Sequence, residues 1–134
     1  MNVVVDTNVF VSAHIAPLGN PAKIMELFFS QQIQIFYCKN IIVEYIDVLA
    51  RPALKINPVK MKKFIEILQC TGILIEPSVS TMMLPDESDR VFYDTAKESG
   101  AILITGNIKH YPENNFIMTP SQFLEKYNRE MYDD

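Results

Sequence analysis

The sequence has no tryptophan, 2 cysteines, 2 histidines and only 4 glycines in 134 residues. Each shortage removes a class of protein. Two cysteines, Cys38 and Cys70, cannot build a disulfide scaffold or a four-ligand zinc centre. Both sit among apolar neighbours, so reduced core thiols are expected. His14 lacks the second nearby histidine of a zinc site and reads as structural. No apolar run approaches the ~18 residues that a membrane span requires. The opening Met1–Asp6 has no basic segment and meets a carboxylate at once, so no secretory leader is expected and the cytoplasm is the expected compartment. Positive charge is also scarce: 12 Lys and Arg stand against 16 Asp and Glu, a formal net charge of −4. That excludes a protein that coats nucleic acid through bulk charge, but not an enzyme that grips one strand locally. Hydrophobic residues at 49% and charged residues at 21% are too apolar for disorder and fit one globular domain over 1–134.

What the sequence does have is alternation. Val3–Val5 is a β-branched run that reads as a strand buried on both faces. Asn20-Pro21 predicts a capped helix over 21–30, and Ile33–Tyr37 a second strand. Asn40 is expected to cap a helix from Ile41 to Arg51, which Pro52 stops. Asn57-Pro58 opens another helix to about Cys70, ended by Gly72. Ile73–Ile75 is a third strand and 77–85 a loop. Asp86 is expected to cap a helix to Ser99, with Gly100 as its terminator. Ala101–Ile104 and Phe116–Met118 are further strands, and Thr119–Gln122 opens a final helix with capping-box spacing. Strands alternating with helices predict an α/β fold: a mostly parallel sheet with helices on both faces.

In open parallel sheets, sites form beyond the carboxyl ends of the strands. Asp6 follows the first strand there, with Thr7 and Asn8 behind it. Thr105-Gly106-Asn107 follows the fourth. Glu44 lies one turn into the Asn40 helix, and Asp89 in the first turn of the Asp86 helix. Each acid has an ordinary reading: Asp6 as a helix cap, Glu44 on a solvated face with Asp47 and Arg51, Asp89 as an acid favoured by the helix dipole. Together they can converge. Three acids without basic partners repel one another unless cations neutralise them, and hard oxygen ligands suit Mg²⁺ or Mn²⁺. Such a cluster supports metal-assisted phosphodiester cleavage.

Two stretches carry a family resemblance. V-V-V-D-T-N-V-F-V-S at 3–12 resembles the opening of the PIN-domain nucleases. S-D-R-V-F-Y-D-T-A-K-E-S-G-A-I-L-I-T-G-N at 88–107 resembles their second signature. The resemblance implies a three-layer α/β/α fold and Mg²⁺- or Mn²⁺-dependent ribonuclease chemistry. It is also similar to VapC-type toxins of bacterial toxin–antitoxin pairs, which implies an RNA substrate, an antitoxin protein partner and a homodimer. By position, it implies that Asp6, Glu44 and Asp89 are catalytic metal ligands. It implies that Thr7, Asn8 and Ser12 orient the first acid and its surroundings, and that Thr105 is the hydroxyl beside a fourth acidic position.

The sequence departs from the pattern at that fourth position. Asn107 stands where Asp is common, and offers a carbonyl oxygen without charge. The cluster then carries −3 rather than −4, so a second ion is expected to bind weakly or only with substrate phosphate present. Lys109 and His110 follow, where another acid is frequent, and are candidate phosphate contacts. Asp86 is an alternative ligand, with capping favoured. Lys55, Lys60, Lys62 and Lys63 read as a solvated helix face. Met82-Met83-Leu84 reads as packing at a sheet edge or as an interface. Two rival readings remain. One is an aspartyl phosphatase motif at Asp6, which Asn8 at the second acid position disfavours. The other is a PIN-fold module that binds RNA or a protein partner without cleaving.

Overall fold

A computed structural model describes residues 1–132. Five strands form one sheet: β1 (Asn2–Val5), β2 (Gln34–Tyr37), β3 (Ile73–Leu74), β4 (Ile102–Ile104) and β5 (Ile117–Met118). Their spatial order is β3-β2-β1-β4-β5. Every neighbouring pair is parallel, with Val3 opposite Ile102 and Val5 opposite Ile104. Six α-helices flank the sheet: α1 (Thr7–Ile15), α2 (Asn20–Phe29), α3 (Lys39–Leu49), α4 (Pro58–Thr71), α5 (Arg90–Ser99) and α6 (Pro120–Tyr132). The result is the three-layer α/β/α architecture that the alternation predicts.

The central strands are buried because their β-branched residues face helices on both sides. Val3, Val4 and Val5 have no exposed surface. β3 is different: both its residues are exposed, with Leu74 at 51%, as befits an edge strand. Aromatic side chains join the helices below. The Phe64 ring of α4 lies 4.5 Å from Phe10 of α1 and 5.7 Å from Phe28 of α2, and Phe10 meets Tyr45 of α3 edge-on at 5.1 Å. His14 has the structural role expected of it, with Nδ1 2.8 Å from the Phe10 carbonyl oxygen and its ring against Phe64.

Several local expectations need correction. Apart from Asp6 as a cap, nothing in the sequence delimits helix α1, because its apolar residues do not segregate onto one face and Thr7, Val9, Val11 and Ile15 are β-branched. Asn40 does not cap α3. That helix begins at Lys39, directly off the extended residue Cys38. Asn20 lies inside α2, which follows Gly19. Asp86 caps a 3₁₀ turn, Glu87–Asp89, that precedes α5, by accepting hydrogen bonds from the Ser88 N–H at 2.9 Å and its hydroxyl at 2.8 Å. Cys38 is buried, but Cys70 is exposed.

Other signals hold. Asn57 accepts from the Val59 N–H at 2.9 Å. Thr119 and Gln122 exchange reciprocal capping bonds at 3.0 and 3.2 Å. Gly100 takes the left-handed conformation, φ 66°, that ends α5. The four lysines at 55, 60, 62 and 63 are exposed. Met82 and Leu84 pack against the core, while Met83 between them is 88% exposed.

Gly72 has a different reason to be glycine. A Cβ there would lie 2.7 Å from the Leu68 carbonyl oxygen and 2.8 Å from Tyr37 Cε1, so the α4–β3 junction has no room for one. Gly72→Ala is expected to lower stability by about 1–3 kcal/mol through overpacking. Urea denaturation should show a lower midpoint with an unchanged slope, and an unchanged midpoint would contradict the close approach.

Candidate active site

The strand order places a topological switch point between β1 and β4. From β1 the chain moves outward through β2 and β3, then returns to the other side of β1 for β4 and β5. The crevice beyond the carboxyl ends of β1 and β4 is where such sheets hold ligands.

Asp6 is the first residue past β1. Its backbone N–H donates to the Ile104 carbonyl oxygen at 2.9 Å, which extends the ladder to β4 by one step. It occupies the N-cap position of α1, yet its side chain makes no capping bond. Instead the carboxylate turns toward β4. Its Oδ2 accepts from the Thr105 hydroxyl at 2.8 Å and from the Tyr111 hydroxyl at 3.0 Å. Thr105 Oγ1 in turn accepts from the Asn107 N–H at 3.0 Å. Asn8 Oδ1 accepts from the Gly106 N–H at 3.3 Å, tying the start of α1 to the same turn.

Glu44 comes to this crevice on α3, which leaves the carboxyl end of β2. Its Oε2 accepts from the Thr7 hydroxyl. Next to it, the buried Tyr45 hydroxyl donates to the Val5 carbonyl oxygen and fixes α3 to the end of β1. Asp89 closes the 3₁₀ turn ahead of α5 and is buried. Its Oδ2 accepts no hydrogen bond, and His110 Nδ1 stands 3.4 Å away, an ion pair when that ring is protonated. Arg90, the next residue, faces elsewhere. It binds the Ser80 and Met82 carbonyl oxygens at 2.8 and 2.5 Å and Glu87 at 2.8 Å. It orders the preceding loop and makes no bond to Asp89.

All three acids have raised pKa values. Burial is the largest cause for each. For Asp6, hydrogen bonds from Thr105, Tyr111 and the Thr7 backbone oppose it. For Glu44, the Thr7 hydroxyl opposes and the charge of Asp6 adds to the rise. For Asp89, the charges of Asp6 and Asp86 add to it, and His110 opposes. Asp6 therefore acts on both other acids. Like-charge crowding adds to the rise at Glu44 and Asp89 but is not a cause at Asp6, and desolvation exceeds it at every one of the three.

The structure also reassigns supporting residues. The Thr7 hydroxyl orients Glu44 rather than Asp6. Thr105 holds Asp6 directly. Ser12 is exposed on α1 and makes no side-chain hydrogen bond among the described residues. Asn107 is exposed, and its side chain caps nothing on the 3₁₀ turn Ile108–His110 that follows. Lys109 and His110 are exposed at this mouth. Two buried tyrosines were missed. Tyr111 sits one residue beyond the candidate contacts, before Pro112, and Tyr45 sits one residue beyond Glu44. Position next to a candidate residue is the only signal either carried.

The donor set fits a divalent cation. It offers carboxylate oxygens only, and the buried Asp89 Oδ2 lacks a hydrogen-bond donor. Among the described residues no three His, Cys, Asp or Glu side chains stand close enough to enclose an ion by themselves. The fit is to an ion that keeps several of its waters.

A parallel α/β domain with acids at its switch point is the class that fold and site define. The PIN-domain family profile matches residues 2–109. The uncharacterized protein MJ1680 of Methanocaldococcus jannaschii is 31% identical over 144 aligned positions, covering 96% of this chain and 93% of its own. No solved structure matches. The chain belongs to the PIN-domain family. PIN domains are generally nucleases and typically use divalent metal ions. Among the described residues, no helix is long and apolar enough to cross a membrane.

The raised acids give a pH signature. A carboxylate whose pKa rises on folding binds more protons folded than unfolded between its two values. Stability therefore falls as pH rises through that window, and the penalty is complete above it. Asp6→Asn removes the most buried of the three charges and keeps an acceptor for Thr105 and Tyr111. Without divalent ions at pH 7 the variant should be about 1 kcal/mol more stable than wild type. The gap should close as pH falls toward the ordinary aspartate value of 3.8. Urea titrations in chelator across this range measure it, and a gap that widens toward acid would contradict the assignment.

Proposed function

We propose that this protein is a Mg²⁺- or Mn²⁺-dependent endoribonuclease. The observation that carries the reading is the buried Asp6 at the switch point, with its charge acting on Glu44 and Asp89. In this reading Asp6, Glu44 and Asp89 hold the cation, and Asn107 adds a neutral carbonyl oxygen at the mouth. When bound, the cation lowers the pKa of water and polarises the scissile phosphate. The chain's own residues prepare the site. Thr105 and Tyr111 orient Asp6, Thr7 orients Glu44, and burial keeps the field of the acids strong. His110, exposed beside Asp89, and Lys109, exposed on the same 3₁₀ turn, meet the RNA phosphates.

The resemblance of both motifs to VapC-type toxins supports a role as the toxin of a toxin–antitoxin pair. Its setting is the cytoplasm, with a homodimer and a protein antitoxin as partners. Asn107 favours a second reading. A neutral residue at the fourth position is what a module that binds RNA or a protein partner without cleaving would tolerate.

Cleavage of single-stranded RNA in Mn²⁺ separates the two. Wild type should cleave, and Asp6→Asn should lose more than ~100-fold, beyond what an outer-shell change costs. Cleavage that survives Asp6→Asn would remove the nuclease mechanism. No wild-type cleavage, with RNA still bound, would establish the second reading.

Asn107→Asp tests the fourth position. An added full charge should tighten binding of a second Mn²⁺ without altering the fold. Calorimetric titration reads this directly, and equal affinity in the two proteins would place Asn107 outside the metal site.

A further inference from the structure

We infer that Tyr111 is a positioning residue that restricts Asp6 to one-oxygen coordination and so selects Mg²⁺ or Mn²⁺ against Ca²⁺. The inference rests on Asp6 being a metal ligand, as proposed above. Both hydroxyl donors on Asp6 reach the same atom, Oδ2, from Thr105 at 2.8 Å and Tyr111 at 3.0 Å. A carboxylate oxygen has two in-plane lone-pair directions, so two donors fill it. Oδ1 is left without a side-chain donor.

Neither hydroxyl is free to turn away. Thr105 Oγ1 already accepts the Asn107 N–H, which directs its proton to Asp6. The Tyr111 ring is buried, and its N–H bond to the Ile108 carbonyl oxygen at 3.2 Å closes the 3₁₀ turn that delivers it. With Oδ2 held by both hydroxyls, Oδ1 is the Asp6 oxygen left for an ion.

That presentation discriminates between ions. Ca²⁺ takes 6–8 oxygens in flexible geometry and readily uses both oxygens of one carboxylate, whereas Mg²⁺ demands near-octahedral geometry with short bonds and retains waters. One oxygen from Asp6, with a neutral amide at Asn107, suits the smaller octahedral ions and leaves Ca²⁺ under-coordinated. The segment that lacks the fourth acid therefore still shapes the site, through a phenol that binds Asp6.

The test is calorimetric titration of Mn²⁺ and of Ca²⁺ into the full chain, read as the ratio of the two affinities. Tyr111→Phe keeps the ring and removes the hydroxyl, so Oδ2 becomes available. The Mn²⁺-to-Ca²⁺ ratio should fall about tenfold, the scale of an outer-shell change. Thr105→Val removes the other donor to Oδ2 and should move the ratio in the same direction. Tyr127→Phe also removes the hydroxyl of a buried tyrosine, one that bonds Gln32 Oε1 at 3.5 Å instead of a carboxylate, and should leave the ratio unchanged. A wild-type ratio in both Tyr111→Phe and Thr105→Val would overturn the inference, as would an equal fall in Tyr127→Phe. Mn²⁺ binding unaffected by Asp6→Asn would instead remove the metal-site reading, and is read on a different variant.

Discussion

The site depends on a buried carboxylate held by hydroxyls. Asp6 ends the central strand, where water is largely excluded, and the surrounding elements supply its donors. Thr105 comes from the end of β4 and Tyr111 from the turn beyond it. Those bonds offset part of the desolvation cost without removing the charge. They also recruit Asp6 away from capping α1, the role its position would otherwise give it. A buried acid with hydroxyl donors and no cationic side chain bonded to it is costly in the free protein. Where such a cost stands at the switch point of a parallel sheet, a divalent cation is the natural compensation.

The other two acids follow from the same constraint. Glu44 is placed by α3, and α3 is fixed at the end of β1 by the Tyr45 hydroxyl on Val5. The aromatic contact of Tyr45 with Phe10 binds α3 to α1 on the apolar side of that bond. Asp89 is placed by the 3₁₀ turn and the Arg90 clamp on the loop before it. Each acid thus rests on an element whose packing is independent of metal. A site built this way can be organised before an ion arrives, which limits the reorganisation that binding requires.

The strands were legible because buried parallel strands are written as short β-branched runs, as in Val3–Val5. Helix α1 was not, since it is apolar around much of its surface and follows the strand without a gap. Asn20 and Asn40 look like caps in sequence. The actual starts are set one residue earlier by Gly19 and two residues earlier by the strand exit at Cys38. In the site, the three acids were legible from their places after strands and from the motif resemblance. Their partners were not. Thr7 and Glu44 are 37 residues apart, and Tyr111 and Asp6 are 105 apart. A hydrogen bond across such separations leaves no local pattern, and only the folded chain reveals that the Thr7 hydroxyl serves Glu44 rather than its neighbour Asp6.

The central claim is that the crevice around Asp6 is a divalent-cation site. Anomalous diffraction from crystals grown with Mn²⁺ tests it most directly. The account predicts an anomalous peak within bonding distance of Asp6 Oδ1 on the side facing Asp89, with waters completing its coordination. Mn²⁺ bound only elsewhere on the protein, with the Asp6 crevice clear at saturating concentration, would contradict it.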